Sequence, residues 1–201
     1  MNRHLIIMAK SPRMGVVKTR LAVDVGLLEA TRIYRRMLTG IIREVGIEPR
    51  WQAHIALAPE GSFHGCNLPH ARELDIIAQT RGNLGARMGA LLRQFPQSDR
   101  VIIGSDIPDI RRRHVIDAFR TLGSHDAVFG PAQDGGYWLV GVPRRHNCAN
   151  IFENVRWSTP HALEDTLANF QGRRVGLLET LRDIDKAADL RSGACVPPNA
   201  A

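Results

Sequence analysis

The chain has 201 residues, of which 44% are hydrophobic and 23% charged, with a formal net charge of +7. These proportions are typical of a soluble globular protein and exclude a disordered or fibrous one, and the length predicts one domain over residues 1–201. No apolar run approaches the roughly 20 residues of a membrane helix. The run Leu5–Ala9 is also too short for a signal-peptide core, so we expect a cytoplasmic protein without membrane contact.

The basic charge and the cysteines narrow the kinds of partner and site. A net positive charge suits an anionic partner, either nucleic acid or a phosphorylated small molecule. The longest basic run is Arg111–Arg113, and no basic stripe is interleaved with aromatic residues, so nucleic acid is not the expected partner. The cysteines, Cys66, Cys148 and Cys195, are odd in number and form no Cys-x-x-Cys motif, which argues against a disulfide framework or a structural zinc site.

Short apolar runs alternate with longer helical patterns along the chain. Strands are predicted over His4–Ala9, His54–Ala58, Glu73–Ala78, Arg100–Gly104, Asp126–Gly130, Tyr137–Val142 and Arg174–Leu178. Helices are predicted over Leu27–Val45, Leu84–Phe95, His114–Leu122, Ser158–Phe170 and Lys186–Arg191. Such alternation is typical of parallel strands joined by crossover helices, and it predicts a three-layer αβα protein with a mostly parallel sheet.

One pair of strands breaks the alternation. The segment between Asp126–Gly130 and Tyr137–Val142 ends in Asp134-Gly135-Gly136 and leaves no room for a helix. These two strands are therefore predicted to form an antiparallel hairpin that closes on an Asp-Gly turn. The resulting sheet is mixed.

The loop after the first strand is predicted to bind phosphate. It carries four cations, Lys10, Arg13, Lys18 and Arg20, although the whole chain has only three lysines. Gly15 would let the backbone approach an anion closely. The loop is not a Walker A motif, because Val17 rather than glycine precedes Lys18. The alternative is a solvated basic loop.

Two aspartates are candidates for the chemistry, because ligands of open α/β sheets bind at the carboxyl ends of the strands. Ser105 and Asp106 directly follow the strand Arg100–Gly104, and we predict that both contact a nucleotide. A carboxylate at this point suits Mg²⁺ or Mn²⁺ held against a diphosphate, although Asp106 could instead cap a turn. Asp134 in the hairpin would bring a second carboxylate to the same cleft, unless it serves only the turn.

The segment that follows the third strand and opens a helix also carries candidate binding residues. In this segment Gly82 and Gly85 would let a flat base pack on the backbone, and Gln79 would hydrogen-bond to the base through its amide. The chain has neither a Gly-x-Ser-x-Gly nucleophile elbow nor a Gly-x-Gly-x-x-Gly dinucleotide fingerprint.

Several of these segments together resemble a protein family. They are KSPRMGVVKTRL, QTRGNLGARM, GSDIP, GPAQDGGYWLVG, VRWST and LRDIDKAADL, in this order over residues 5 to 191. The chain resembles the GT-A-type nucleotide-diphospho-sugar transferases, in particular the arsenosugar-biosynthesis-type glycosyltransferases of bacteria. It is more distantly similar to sugar and cofactor nucleotidyltransferases. The resemblance implies a GT-A fold, a Rossmann-like mixed sheet that binds a nucleotide in its N-terminal half and an acceptor in its C-terminal half.

The resemblance also implies roles for single residues. Asp106 stands where the superfamily keeps its metal-binding aspartate, and Asp185 resembles a late aspartate that supplies a second metal contact in nucleotidyltransferases. Lys186 stands where those relatives have threonine. Phosphate contacts fall on Lys10, Lys18 and Arg20, and base contacts fall on Gln79, Gly82 and Gly85.

The leading hypothesis is a transferase that uses Mg²⁺ or Mn²⁺ to move a glycosyl group from a nucleotide-diphosphate sugar to a small acceptor. Lys18 and Arg20 would stabilise the negative charge on the leaving diphosphate, and Asp134 would orient or deprotonate the acceptor hydroxyl. The alternative is a nucleotidyltransferase that joins a nucleoside triphosphate to a phosphorylated acceptor and releases pyrophosphate. A rival of another class is a nucleic-acid-binding protein.

Overall fold

Strands and helices alternate along residues 2–58 and 73–191, which are the residues that the computed structural model describes. The strands are β1 Arg3–Lys10, β2 Gln52–Ala58, β3 Asp75–Ala78, β4 Asp99–Ile103, β5 Ala127–Pro131, β6 Tyr137–Val142 and β7 Val175–Leu177. The helices are α1 Thr19–Val25, α2 Leu27–Ile41, α3 Leu84–Arg93, α4 Arg112–Thr121, α5 Ala162–Ala168 and α6 Ala187–Arg191. A π-helical turn, Ile42–Gly46, extends α2. Cys148 is buried, whereas Cys66 and Cys195 lie outside the described residues.

The strands of these two ranges form one sheet in the order β3-β2-β1-β4-β6-β5-β7. β1 pairs in parallel with both β2 and β4, whereas β6 pairs antiparallel with β4 and with β5. β5 and β7 are parallel to each other. Within the described chain β6 is therefore the one strand that runs against the others, which confirms the mixed, mostly parallel sheet and the predicted hairpin.

Both faces of the sheet are covered by helices, which gives the three predicted layers. Leu5 and Ile7 of β1 pack into the core cluster that contains side chains of α2 and α4. Ile6, between them, packs into the cluster that contains side chains of α3. Successive side chains of a strand point to opposite faces, so a continuous apolar run is what a sheet buried on both sides requires.

Two helices differ from the sequence predictions. α1 was not predicted from the sequence. The basic loop ends at Lys18, and the following residues, Thr19–Val25, form a helix with Leu21 as its buried residue. The helix predicted from Ser158 begins only at Ala162. Ser158 has a φ of 62°, which is left-handed and not the extended backbone of a helix cap, so the helix starts later. No helix in the described ranges has the length and apolar character needed to cross a bilayer.

Candidate active site

A cavity of about 480 Å³ opens at the carboxyl ends of β1 and β4, beside the start of β6. Eight of the predicted site residues line it: Lys10, Lys18, Arg20, Gln79, Ser105, Asp106, Asp134 and Asp185. Gly15, Gly82 and Gly85 are described but do not line it. Ligands of open α/β sheets bind at this edge, so the fold brings the predicted catalytic and phosphate-binding side chains to the expected place.

Lys18 joins the two carboxylates that were predicted to bind metal. Its Nζ donates to Oδ1 of Asp185 at 3.0 Å and lies 3.4 Å from Oδ1 of Asp106. The Lys18 side chain is only 4% exposed, while those of Asp106 and Asp185 are 52% and 37% exposed. Arg20 Nη1 lies 3.4 Å from Asp185 Oδ2 and is largely exposed. A buried cation therefore holds together two carboxylates that still face solvent.

Backbone hydrogen bonds fix the position of the Asp185 segment. Ile184 N–H donates to the carbonyl oxygen of Asp106 at 3.2 Å, which ties the two carboxylate-bearing segments together. Oδ2 of Asp189, in α6, accepts from the N–H groups of Asp185 at 3.0 Å and Lys186 at 2.7 Å. The position of the Asp185 segment thus rests on one main-chain hydrogen bond to Asp106 and on the side chain of Asp189, while the side chain of Lys18 supplies the charge between the two aspartates.

Tyr34, on α2, connects the ends of β1 and β4. Its hydroxyl accepts from Lys10 N–H at 2.8 Å and donates to the Lys10 carbonyl oxygen at 3.1 Å. The hydroxyl of Ser105 lies 3.0 Å away and donates to Tyr34 in that arrangement. Tyr34 lies within the predicted helix Leu27–Val45, and nothing in the sequence indicated this contact.

Asp134 both shapes the hairpin turn and faces the cavity. Its Oδ1 accepts from Gly136 N–H at 2.9 Å, which is the turn role that the sequence left open. Between them Gly135 has a φ of 84°, and a Cβ there would lie 2.1 Å from the carbonyl oxygen of Pro160. Only glycine fits this point of the turn.

Asp183 is a cavity residue that the sequence analysis missed. Burial, followed by the neighbouring charges of Asp134 and Asp185, raises the pKa of Asp183, while Lys18 opposes the rise. The available signal was the spacing Asp183-Ile184-Asp185, because residues two apart in extended chain point to the same side. The cavity thus has a second group of carboxylates beside the pair held by Lys18.

Gln79 is buried, and its amide is engaged within the protein. Nε2 donates to the carbonyl oxygens of Ala9 at 3.0 Å and Ala56 at 2.5 Å, and Oε1 accepts from Nη2 of Arg87. Arg87, on α3, lines the cavity, and burial lowers the pKa of its guanidinium. The predicted contact of Gln79 with a base stays a prediction, and Arg87 is a polar group at this wall that the sequence analysis missed.

The glycines of the predicted base-binding segment have packing roles in the fold. A Cβ at Gly85 would lie 2.7 Å from Cζ2 of Trp157 and 2.9 Å from Cβ of Phe152. Gly82 has a φ of 115°, which side chains rarely adopt. Trp157 itself lines the cavity, so the close approach that Gly85 permits sets the position of this wall.

The carboxylates fit a divalent cation that also binds a ligand. No group of three or more His, Cys, Asp or Glu side chains suited to a metal ion occurs within residues 2–58 and 73–191. Mg²⁺ commonly uses only one or two protein carboxylates and takes its remaining oxygens from water and substrate phosphates. Asp106 and Asp185 match that donor set, because both carboxylates already lie around one cation, the ammonium of Lys18.

Comparisons with solved structures concern the fold. A protein of Desulfovibrio desulfuricans G20, provisionally assigned as a nucleotide-diphospho-sugar transferase, is 28% identical and superposes with a TM-score of 0.87 over 100% of this chain and 90% of its own. CMP:2-keto-3-deoxy-manno-octonic acid synthetase complexed with CTP is 13% identical, with a TM-score of 0.55 over 96% of each chain. Rv0371C of Mycobacterium tuberculosis H37Rv, complexed with manganese, is 13% identical, with a TM-score of 0.56 over 96% of this chain and 97% of its own.

The first of these neighbours, at 28% identity, confirms the predicted nucleotide-diphospho-sugar transferase fold and the predicted transferase class of enzyme. At 13% identity, the second and third comparisons show the fold alone. No curated protein matches the sequence. The family model DUF2064, described as an uncharacterized protein conserved in bacteria, matches residues 41–159, and the chain therefore belongs to this family.

Proposed function

We propose that this protein is a metal-dependent transferase that moves a glycosyl group from a nucleotide-diphosphate sugar to a small acceptor. The observation that carries the proposal is the convergence of Lys18, Asp106 and Asp185 in one cavity at the carboxyl edge of the sheet. Such a site joins cationic groups for a diphosphate to carboxylates for a divalent ion. The resemblance to nucleotide-diphospho-sugar transferases supports the same conclusion.

The main chemical difficulty is the negative charge that develops on the departing nucleoside diphosphate. Lys10, Lys18 and Arg20 all line the cavity and would bind the phosphate oxygens. Positive groups fixed in advance around a leaving group lower the barrier because they need no reorganisation during the reaction. A Mg²⁺ or Mn²⁺ ion held by Asp106 and Asp185 would add Lewis-acid stabilisation of the same charge.

The acceptor would bind near Asp134 and Asp183. One oxygen of Asp134 is engaged by Gly136 N–H, which fixes the orientation of the carboxylate and leaves its other oxygen to meet an acceptor hydroxyl. Glycosyl transfer requires that the acceptor hydroxyl is oriented toward the sugar and that a base accepts its proton, and Asp134 would do both. The nucleotide base would lie near Arg87 and Trp157, which also line the cavity.

Nucleotidyl transfer is the second candidate, and the likeness to a synthetase complexed with CTP favours it. The phosphate-binding loop argues for sugar transfer, because it contains only one glycine for close backbone approach to a triphosphate. The products separate the two reactions. Glycosyl transfer releases a nucleoside diphosphate, whereas nucleotidyl transfer releases pyrophosphate.

The test is a thermal-shift screen of nucleoside triphosphates, diphosphates and nucleotide sugars, each with and without Mn²⁺. We expect at least one nucleotide sugar to raise the melting temperature only when Mn²⁺ is present, because a ligand of the native state stabilises it. Asp106→Asn should remove the shift and lower the rate of transfer by roughly 10²–10³-fold. Asp109→Asn is the matched control, since Asp109 is similarly exposed but lies outside the cavity. A metal-dependent shift retained in Asp106→Asn would contradict the proposal.

A further inference from the structure

Lys18 occupies the position that a divalent ion would need. Its ammonium lies 3.0 Å from Asp185 and 3.4 Å from Asp106, and it is almost completely buried. Mg²⁺ binds oxygen at about 2.1 Å, so a metal ion shared by the two carboxylates would draw each of them in by about 1 Å. The ammonium and the metal ion cannot both lie between the same two oxygens.

The backbone of Lys18 is fixed, whereas its ammonium is held by ion pairs. Lys18 has φ 48° and ψ 44°, a left-handed conformation, and its carbonyl oxygen accepts from Ala22 N–H at 2.9 Å at the start of α1. A left-handed residue other than glycine persists where the surrounding structure holds it, and such residues cluster at functional sites. The four-carbon side chain can therefore reorient while α1 stays in place, provided that another anion receives the ammonium.

We infer that Lys18 is an exchangeable counter-ion. In the free enzyme its ammonium neutralises Asp106 and Asp185, and on ligand binding the divalent ion takes this place while the ammonium moves to the diphosphate. The inference rests on the proposed function for the presence of a metal and a diphosphate. It adds that the divalent ion and the diphosphate bind weakly alone and tightly together. Both favour the arrangement in which the Lys18 ammonium has left the aspartates, so each raises the affinity for the other by the same factor.

The decisive measurement is Mn²⁺ affinity without nucleotide, obtained from the electron paramagnetic resonance signal of unbound Mn²⁺. Lys18→Met removes the competing cation, so we expect Mn²⁺ to bind about tenfold more tightly than to the wild type. Arg20→Met is the control. It removes an exposed cation that contacts Asp185 from outside the pair, and we expect a change of at most a few-fold. Adding Asp106→Asn to Lys18→Met should abolish the gain.

A second titration gives the opposite sign. Preformed Mn²⁺–pyrophosphate, measured by calorimetry, should bind about tenfold more weakly to Lys18→Met, because the lost contact between lysine and diphosphate outweighs the gain at the metal site. A variant that was merely misfolded would lose both affinities. Lys18→Gly suits the left-handed backbone and should reproduce both changes if methionine perturbs folding.

The outcomes separate this inference from the proposed function. If the wild type binds Mn²⁺ through Asp106 and Lys18→Met binds it equally or more weakly, the exchange is wrong and the metal site stands. If neither protein binds Mn²⁺, with or without pyrophosphate, then both the exchange and the metal-dependent function are wrong.

Discussion

Replacing Asp185 by asparagine tests whether the ion pair of Lys18 supports the fold as well as the site. The change keeps the shape of the side chain but removes the charge nearest to an ammonium that is 4% exposed. Loss of one partner from a fully buried ion pair costs about 3–5 kcal/mol, whereas loss of an exposed one costs about 0–1 kcal/mol. Lys18 is buried and Asp185 is partly exposed, so we expect Asp185→Asn to lower the free energy of unfolding by about 2 kcal/mol.

The matched variant is Asp106→Asn. Asp106 lies farther from the ammonium, at 3.4 Å, and is more exposed, so its loss should cost about 1 kcal/mol. Urea unfolding of both variants, with unchanged m values, measures these differences. The double variant Lys18→Met/Asp185→Asn should be less unstable than the sum of its parts, because no buried ammonium is left without its partner. Additive losses, or a cost for Asp185→Asn below 0.5 kcal/mol, would refute this account of Lys18.

Two further predictions concern the turn and the opposite edge of the sheet. Gly135→Ala would place a Cβ 2.1 Å from the carbonyl oxygen of Pro160 at a φ of 84°. It should lower the free energy of unfolding by at least about 2 kcal/mol, and it should reduce transfer activity because Asp134 is displaced. Urea unfolding and activity assays measure the two effects, and near-normal values in both would contradict the prediction. Burial lowers the pKa values of His4 and His54 from 6.5, so the unfolded chain takes up protons before the folded one as the pH falls. Stability should therefore be full above about pH 6.5 and decline below it, and thermal melts from pH 8 to 5 should show a shallower decline for His54→Gln than for the wild type.

The fold could be predicted where local pattern and packing agree. Leu5, Ile6 and Ile7 are all apolar because β1 is covered on both faces, and the short link before Tyr137 permits only a hairpin. α1 could not be predicted in this way. It has seven residues and Leu21 is its one buried residue, so its sequence shows no helical periodicity of apolar residues. Its position depends instead on contacts made in the folded protein.

The site was predictable in its residue types but not in its pairings. Polar residues that follow parallel strands meet at one edge, which is enough to expect Asp106 and the basic loop together. Lys18 and Asp185 are 167 residues apart in sequence, so no local spacing indicates their ion pair. The contacts of Gln79 could not be predicted either: its Nε2 donates to the carbonyl oxygens of Ala9 and Ala56, which are far from it in sequence, because a buried amide needs hydrogen-bond partners.

The reversal of β6 explains why carboxylates from distant parts of the chain meet. β5 ends at the same edge as β1 and β4, and a crossover helix would have carried the chain away to the other edge. The hairpin instead keeps Asp134 at this edge, because β6 starts where the parallel strands end.

The segment after β7 then follows the end of β5. Leu178 N–H donates to the carbonyl oxygen of Phe129, and Leu181 N–H donates to that of Pro131. This path delivers Asp183 and Asp185 to the cavity, where Ile184 closes the last backbone contact with the Asp106 segment. Backbone topology therefore accounts for the cluster of carboxylates. The charge of Lys18 offsets the repulsion between Asp106 and Asp185 in that cluster.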